Sequence, residues 1–249
     1  MPARYLGASL LHLPDESGNH NKYVVAPFME LQAIKKERNL ELPDEQEIFE
    51  AYLDKAAFEA SSLRTQIRTC KACDLHGAGK KPLPGGGYPL ADLFLLKGQA
   101  GEFESAEGTA FAGETMEALR KAFDKLDLEA SHIYGTNAVK CYRKGRRATE
   151  NHVKACLSHL RLEIAICEPR IILAMGPIAC HALMALGDSL EQIEFRPGSV
   201  FGMMPDLQVV VTSDFEKALN DVDSKRRFWK DLQLTKEIVD KRIAREQEN

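Results

Sequence analysis

The sequence predicts an α/β fold: a three-layer α/β/α sandwich on a central four-stranded parallel sheet, with an N-terminal helical extension. Three observations predict it. Four short apolar runs, at 91–96, 133–139, 170–175 and 209–212, recur roughly every 40 residues. The runs are continuously apolar, as strands buried on both faces require. Between them lie segments of helical character, and strands alternating with helices give a parallel sheet covered on both sides.

Taken in order, residues 1–42 hold an apolar segment (5–13), a turn at Asp15 to Asn19, a strand at 23–26 and a short helix at 28–38. Asp44 and Glu47 then resemble a capping box. Ile48, Phe49, Tyr52, Leu53, Ala56, Leu63 and Ile67 recur at amphipathic-helix spacing over about 45–68. Pro84-Gly85-Gly86-Gly87 is a loop by composition. Helices are expected at 115–126, at 150–166, from Pro177 (a favoured first-turn residue) to 186, and at 225–245. Phe228 and Trp229 pack the last helix onto the sheet. This divides the chain into an extension, 1–65, and a main domain, 66–249.

At 249 residues the chain can bury a large core without disulfides. Its 44% hydrophobic and 28% charged content is ordinary for a globular protein. A net charge of −4 does not advertise a nucleic-acid binder, so that role needs a local basic patch. No apolar run is long enough for a membrane helix, and Met1-Pro2-Ala3-Arg4-Tyr5 lacks the layout of a signal peptide. The expectation is a reducing, cytoplasmic setting, where cysteines serve as metal ligands or core residues.

Cys70 and Cys73 form a CxxC; Cys141 ends a strand-like run and Cys156 lies in a helical one. The pattern suits an iron–sulfur cluster, most readily [4Fe–4S]. Four-cysteine zinc is the rival metal. A redox CxxC with two core cysteines is the plainest alternative. In a parallel α/β sheet, ligands sit beyond the carboxyl ends of the strands. The residues there are Gly98 to Gly101, Asn137, Gly176-Pro177 and Ser213-Asp214.

The cysteine spacing, Pro84 to Gly87, 91–101, Gly108-Thr109-Ala110-Phe111-Ala112-Gly113, Thr136 to Cys141, Cys156 and Pro169 to Gly176 together resemble the family 4 uracil-DNA glycosylases, over about 66–235. The resemblance implies that Cys70, Cys73, Cys141 and Cys156 hold a [4Fe–4S] cluster that organises loops near DNA. Cys167 and Cys180 match no ligand and read as core. It places Phe111 as the ring that stacks on a flipped base and Asn137 as the amide that reads it, with Gln99, Ala100 and Gly101 completing the pocket. An amide offers both donor and acceptor to a pyrimidine edge, and base chemistry requires the nucleotide to be flipped out.

Two positions depart from the family pattern. The family usually has Gly-Glu-Ala-Pro-Gly where this chain has Lys97-Gly98-Gln99-Ala100-Gly101, so the acid falls on Gly98. A shift of one residue puts Gln99 there, which can orient water but lacks basicity. The family histidine after the fourth strand falls on Ser213, followed by Asp214. Asp214, Glu102 and Glu104 are the substitute carboxylates at hand; solvated surface is the simpler reading of the two glutamates. Lys140, Tyr142, Arg143, Lys144, Arg146 and Arg147, with Lys154, form a basic patch with an interleaved aromatic, suited to phosphate and an unpaired base. Lys225-Arg226-Arg227 are expected to add to that surface.

The expected function is a DNA-binding, uracil-DNA glycosylase-like protein that excises a damaged or modified base through non-standard residues. The alternative is a catalytically inactive member, acting as a DNA-binding or protein-interaction module whose residues 1–65 dock a replication, repair or defence partner.

Overall fold

The computed structural model describes residues 9–12, 23–26, 45–76, 81–129, 132–187, 195–204 and 206–247. They belong to two compact units, 1–55 with 241–249, and 56–240. In the first unit, strand β1 (Ser9–His12) pairs antiparallel with β2 (Tyr23–Ala26). These fall within the expected apolar segment and strand; the helix expected over 28–38 lies outside the described residues. Helix α1 (Glu45–Arg68) ends two residues before Cys70. Its Ala56, Ala60, Leu63 and Ile67 are buried in the second unit, at helical intervals of four, three and four.

The second unit is built on a six-stranded sheet of order β3-β5-β4-β6-β8-β7. The four expected strands are its parallel centre: β4 (Leu93–Gln99), β5 (Ile133–Val139), β6 (Ile171–Met175) and β8 (Leu207–Thr212). The sheet exceeds the expected four strands because β3 (Gly86–Gly87) and β7 (Val200–Met204) add antiparallel edges. Neither announces itself in sequence. The first is two glycines, and the second is a partly exposed edge. Gly87 lies at φ 128°, and a Cβ there would meet the Ile133 carbonyl oxygen at 2.2 Å, so only glycine lets this segment pair with β5.

Five helices cover the centre of the sheet. On one face, Phe94, Leu96, Tyr134, Ala138, Ile172 and Ala174 meet Leu160 of α4 (Glu150–Cys167) and Ala179, Cys180 and Leu183 of α5 (Pro177–Met184). On the other, Leu93, Leu95, Ile133, Leu173 and Val210 meet Leu119 and Phe123 of α3 (Glu114–Leu126), Phe215 of α6 (Phe215–Asn220) and Phe228 and Leu232 of α7 (Val222–Gln247). Phe228 is the main anchor of α7, its ring 4.8 Å from that of Phe215; Trp229 is half-buried. A further short helix, α2 (Glu102–Glu107), follows β4. Cys167 and Cys180 are core residues, as expected, and burial pushes the Cys180 thiol up to about 12. Among the described residues, no helix is long and apolar enough to cross a membrane.

A buried polar network crosses the α4 face. Lys140 and Glu163 are each 1% exposed and form an ion pair. Lys140 Nζ also donates to Thr136 Oγ1 at 2.6 Å. Glu163 accepts from the Gly85 N–H (2.9 Å), Thr136 Oγ1 (3.0 Å) and Tyr134 Oη (3.4 Å). One carboxylate thus fastens the glycine loop, β5 and α4. Removing one partner of such a pair strands a buried charge, at about 3–5 kcal/mol. Glu163→Gln is expected to lower stability to chemical denaturation by that amount. Glu163→Leu should lower it further, because the Gly85 N–H and Thr136 hydroxyl lose their acceptor as well. Equal stability of Glu163→Leu and the parent would contradict this account.

Candidate base pocket and metal centre

The four predicted cysteines come together from three segments. Cys70 follows the end of α1, where its N–H donates to the Ile67 carbonyl at 3.0 Å. Cys141 stands two residues beyond β5, and Cys156 lies on the buried face of α4. Burial pushes the Cys141 thiol up to about 12, and neighbouring Cys156, Cys73 and Cys70 add to the shift. Cys141 also shares a hydrogen bond with Cys73. Burial raises Cys156 too, against the Lys140 backbone N–H that its sulfur accepts. Among the described residues, no three His, Cys, Asp or Glu side chains are gathered tightly enough for a single metal ion. An all-thiol donor set is the kind that an iron–sulfur cluster uses, and four-cysteine zinc sites use it too.

Asp74, next to Cys73, ties the CxxC loop to the segment carrying the other cysteines. One carboxylate oxygen pairs with Arg146, and the other meets His152 Nε2 at 2.8 Å. Its carbonyl accepts from Arg143 at 2.9 Å. His152 Nδ1 accepts the Thr149 N–H at 3.0 Å, so Nε2 carries the proton and donates to Asp74. The His152 hydrogen bond, helped by Arg146, holds the Asp74 carboxyl below its ordinary range.

These contacts sort the predicted DNA-facing residues. Lys140 is inside the protein and offers nothing to a phosphate. Arg143 and Arg146 are engaged with Asp74. Lys144, Arg147 and Lys154 are exposed. Tyr142 is half-buried and lines a 400 Å³ groove with Phe103, Arg146 and Asn220. Phe103 is 69% exposed at that mouth.

The predicted pocket residues meet at the carboxyl ends of β4 and β5. Leu95 is in register with Gly135 and Lys97 with Asn137, so these four side-chain positions share one face. Phe111 lies over Gly135, where a Cβ would come within 2.8 Å of its ring. Phe111 sits at φ 58°, an unusual backbone for a bulky residue. Glu104 holds it there by accepting the Phe111 N–H with one oxygen and the Gly101 N–H, at 2.7 Å, with the other. Asn137 is completely buried, and neither amide atom has a hydrogen-bond partner. Buried polar groups without partners are rare enough to need an explanation.

The remaining candidates are placed differently. Gln99 uses its amide on backbone, donating to Cys141 O and Arg146 O (both 3.3 Å) and accepting the Ala148 N–H at 2.8 Å. It braces the loop between the third and fourth cysteines. Ser213 and Asp214 line a 720 Å³ cavity beyond β8, with Lys97, Arg147, Lys217 and Arg227. Asp214 also caps α6, accepting the Lys217 N–H at 3.1 Å. Gly98 lines the same cavity, and a Cβ there would meet Ile178 Cβ at 2.9 Å. Glu102 is exposed, whereas Glu104, expected at the surface, is 2% exposed because two backbone N–H groups and Lys97 surround it.

Sequence reasoning missed Lys97, Asp74, His152 and Glu163. Glu163 had a legible signal. It falls on the stripe Val153, Cys156, Leu160, Glu163, Cys167, all buried at alternating steps of three and four, and a charge on such a stripe demands a partner. Lys97 had one too, a charge closing an otherwise apolar strand. Asp74 and His152 lie 78 residues apart, and no local pattern links them.

Comparison with known proteins identifies the family. The uracil DNA glycosylase superfamily profile matches residues 84–233. The chain is 29% identical over 181 residues to the type-4 uracil-DNA glycosylase of Pyrobaculum aerophilum, covering 71% of this chain and 92% of that one. It is 32% identical over 160 residues to that of Sulfurisphaera tokodaii, covering 63% and 73%, and 27% identical over 124 residues to that of Archaeoglobus fulgidus, covering 49% and 62%. The matching family model covers more than half of the chain, so this chain belongs to the uracil-DNA glycosylase superfamily and is like its type-4 members.

Proposed function

We propose that this protein is a DNA-binding, uracil-DNA glycosylase-like protein of base excision repair type, whose scaffold is kept and whose uracil chemistry is not. The observation that carries this reading is the missing acid. Gly98 has no side chain, and a Cβ there would press on Ile178 at 2.9 Å. The histidine position is Ser213, buried at the end of β8. Preorganised stabilisation of developing charge is worth ~3–4 kcal/mol per group. Losing two such groups lowers uracil excision by about 10⁴-fold or more.

Cys70, Cys73, Cys141 and Cys156 are the residues to hold a [4Fe–4S] cluster, and the Lys140 backbone N–H is a ready donor to the Cys156 sulfur. The cluster's contribution there is structural bracing beside DNA. A second reading, excision of another damaged or modified base, draws on the orphan amide of Asn137 beside Phe111. That pair is arranged for a flipped base.

Three measurements test these readings. Oligonucleotides carrying uracil, hypoxanthine, xanthine or alkylated bases are incubated with the protein and assayed for abasic sites. Uracil should yield almost none, and Gly98→Glu should not restore excision while Ile178 stands against it. Uracil excision at the level of an ordinary family member would refute the main reading. Excision of another base, abolished by Asn137→Ala, would establish the second. For DNA contact, Lys144→Ala with Arg147→Ala should weaken single-stranded binding and reduce the slope of log affinity against log salt by about 1.4, at ~0.7 per phosphate contact. An unchanged slope would remove those residues from the interface. For the cluster, the purified protein should contain iron and be brown. Cys141→Ala or Cys156→Ala should lose the colour, while Cys180→Ala should keep it. Stoichiometric zinc in place of iron would reverse that assignment.

A further inference from the structure

Lys97 stands where the family pattern has glycine, and its side chain goes to an unusual place. It is 4% exposed, at the end of the strand beside Asn137. Its ammonium lies 5.5 Å from the centroid of the Phe111 ring. Glu104 Oε2 is 3.1 Å away and Glu216 Oε1 3.5 Å away, ion pairing without hydrogen-bond geometry. Lys97 lines the 720 Å³ and 400 Å³ cavities described above, whereas Phe111 and Asn137 line neither of these two. The lysine therefore stands between those two cavities and the aromatic–amide pair.

We propose that the Lys97 side chain fills the seat of a flipped base and is the residue that excludes uracil from this pocket. The inference rests on reading Phe111 and Asn137 as base-pocket residues. It accounts for the two unpaired polar atoms of Asn137. The Asn137 amide is sealed from solvent with both polar atoms unpaired, as expected of a reading group whose partner's place is taken by a side chain that cannot answer it. Lysine has donors only and a flexible stem. It can rest against an aromatic face, as cations do, but it cannot return the donor–acceptor pattern of a pyrimidine edge. Glu104 makes the arrangement tenable. It is already held by two backbone N–H groups, so it presents a fixed carboxylate to the ammonium.

The test uses the full chain as purified and deoxyuridine monophosphate as probe, with deoxycytidine monophosphate as the wrong-edge control, followed by ligand-observed NMR. Wild-type protein should show no preference between the two. Lys97→Gly should bind the uracil nucleotide at least about tenfold better than wild type and prefer it to the cytosine one, as a site built around a hydrogen-bonding edge does. Adding Asn137→Ala should abolish that gain. Lys97→Met, which removes the charge and keeps the bulk, should stay closed. Should Lys97→Gly fail to fold, Lys97→Ala carries the same expectation, because it leaves Glu104 on its two backbone N–H groups. The proposal is overturned if wild type already prefers the uracil nucleotide in an Asn137-dependent way. It is equally overturned if opening position 97 brings no gain, or if Lys97→Met behaves like Lys97→Gly. These probes need no DNA track, so the outcome is separate from the oligonucleotide assays: lost DNA binding or ordinary uracil excision bears on the proposed function, and nucleotide selectivity bears on Lys97.

Discussion

The Lys140–Glu163 pair is the constraint on which the rest of the site depends. The lysine immediately precedes Cys141, and its backbone N–H reaches the Cys156 sulfur. Its carbonyl accepts the Leu83 N–H at 2.8 Å, just ahead of the glycine loop. Its side chain binds Glu163, two turns beyond Cys156 on α4. One residue thus fixes the separation of the third and fourth thiols and the strand leading to them. Buried pairs of this kind are weak contributors to net stability, since desolvation offsets most of the attraction. The value of this one is positional: any slide of α4 along β5 would leave a charge unmatched in the core.

Strand β5 carries two kinds of work on opposite faces. Tyr134, Thr136 and Ala138 point toward α4 and serve the buried network and core. Gly135 and Asn137 point the other way, beneath Phe111. The period-two alternation of a strand makes this separation possible within seven residues. It also couples the faces, because displacing the strand to suit one would misplace the other. Gln99 and Asp74 extend the coupling outward. The first joins the end of β4 to the loop after Cys141, and the second joins the CxxC loop to the start of α4.

Much of this was legible in the sequence. The central strands and the main-domain helices α3, α4, α5 and α7 follow from apolar runs and periodicity, which are local signals, whereas the short helices α2 and α6 were not expected and the cysteine quartet rested on the family resemblance. The edge strands were not legible. Gly86–Gly87 pairs only because Ile133 and Tyr134 come close to it in space. The basic patch was legible as composition but not as exposure. Among neighbouring residues, Lys140 is sealed inside, Arg143 and Arg146 hold Asp74, and Lys144 faces solvent. Charge density does not reveal which cations already have partners. Glu104 misled for the converse reason. Its burial depends on the left-handed turn at Phe111, seven residues on, which no propensity predicts.

The departures from the family pattern lie together at the carboxyl ends of the strands, and the contacts show that they are interdependent. Position 98 tolerates only glycine while Ile178 lies against it. Lys97 is held by Glu104, which also sets the Phe111 backbone, and by Glu216 of α6, the helix that Asp214 caps. Residues sharing partners in this way do not act additively. Opening the seat proposed at Lys97 and restoring chemistry at Gly98 and Ser213 make different demands, although the positions share partners. The first requires one side chain to leave, whereas the second requires an acid, room for it and a histidine where Ser213 now sits. A pocket changed at these linked points, on a cysteine scaffold that is kept, is the ground for the proposal of DNA recognition without uracil excision.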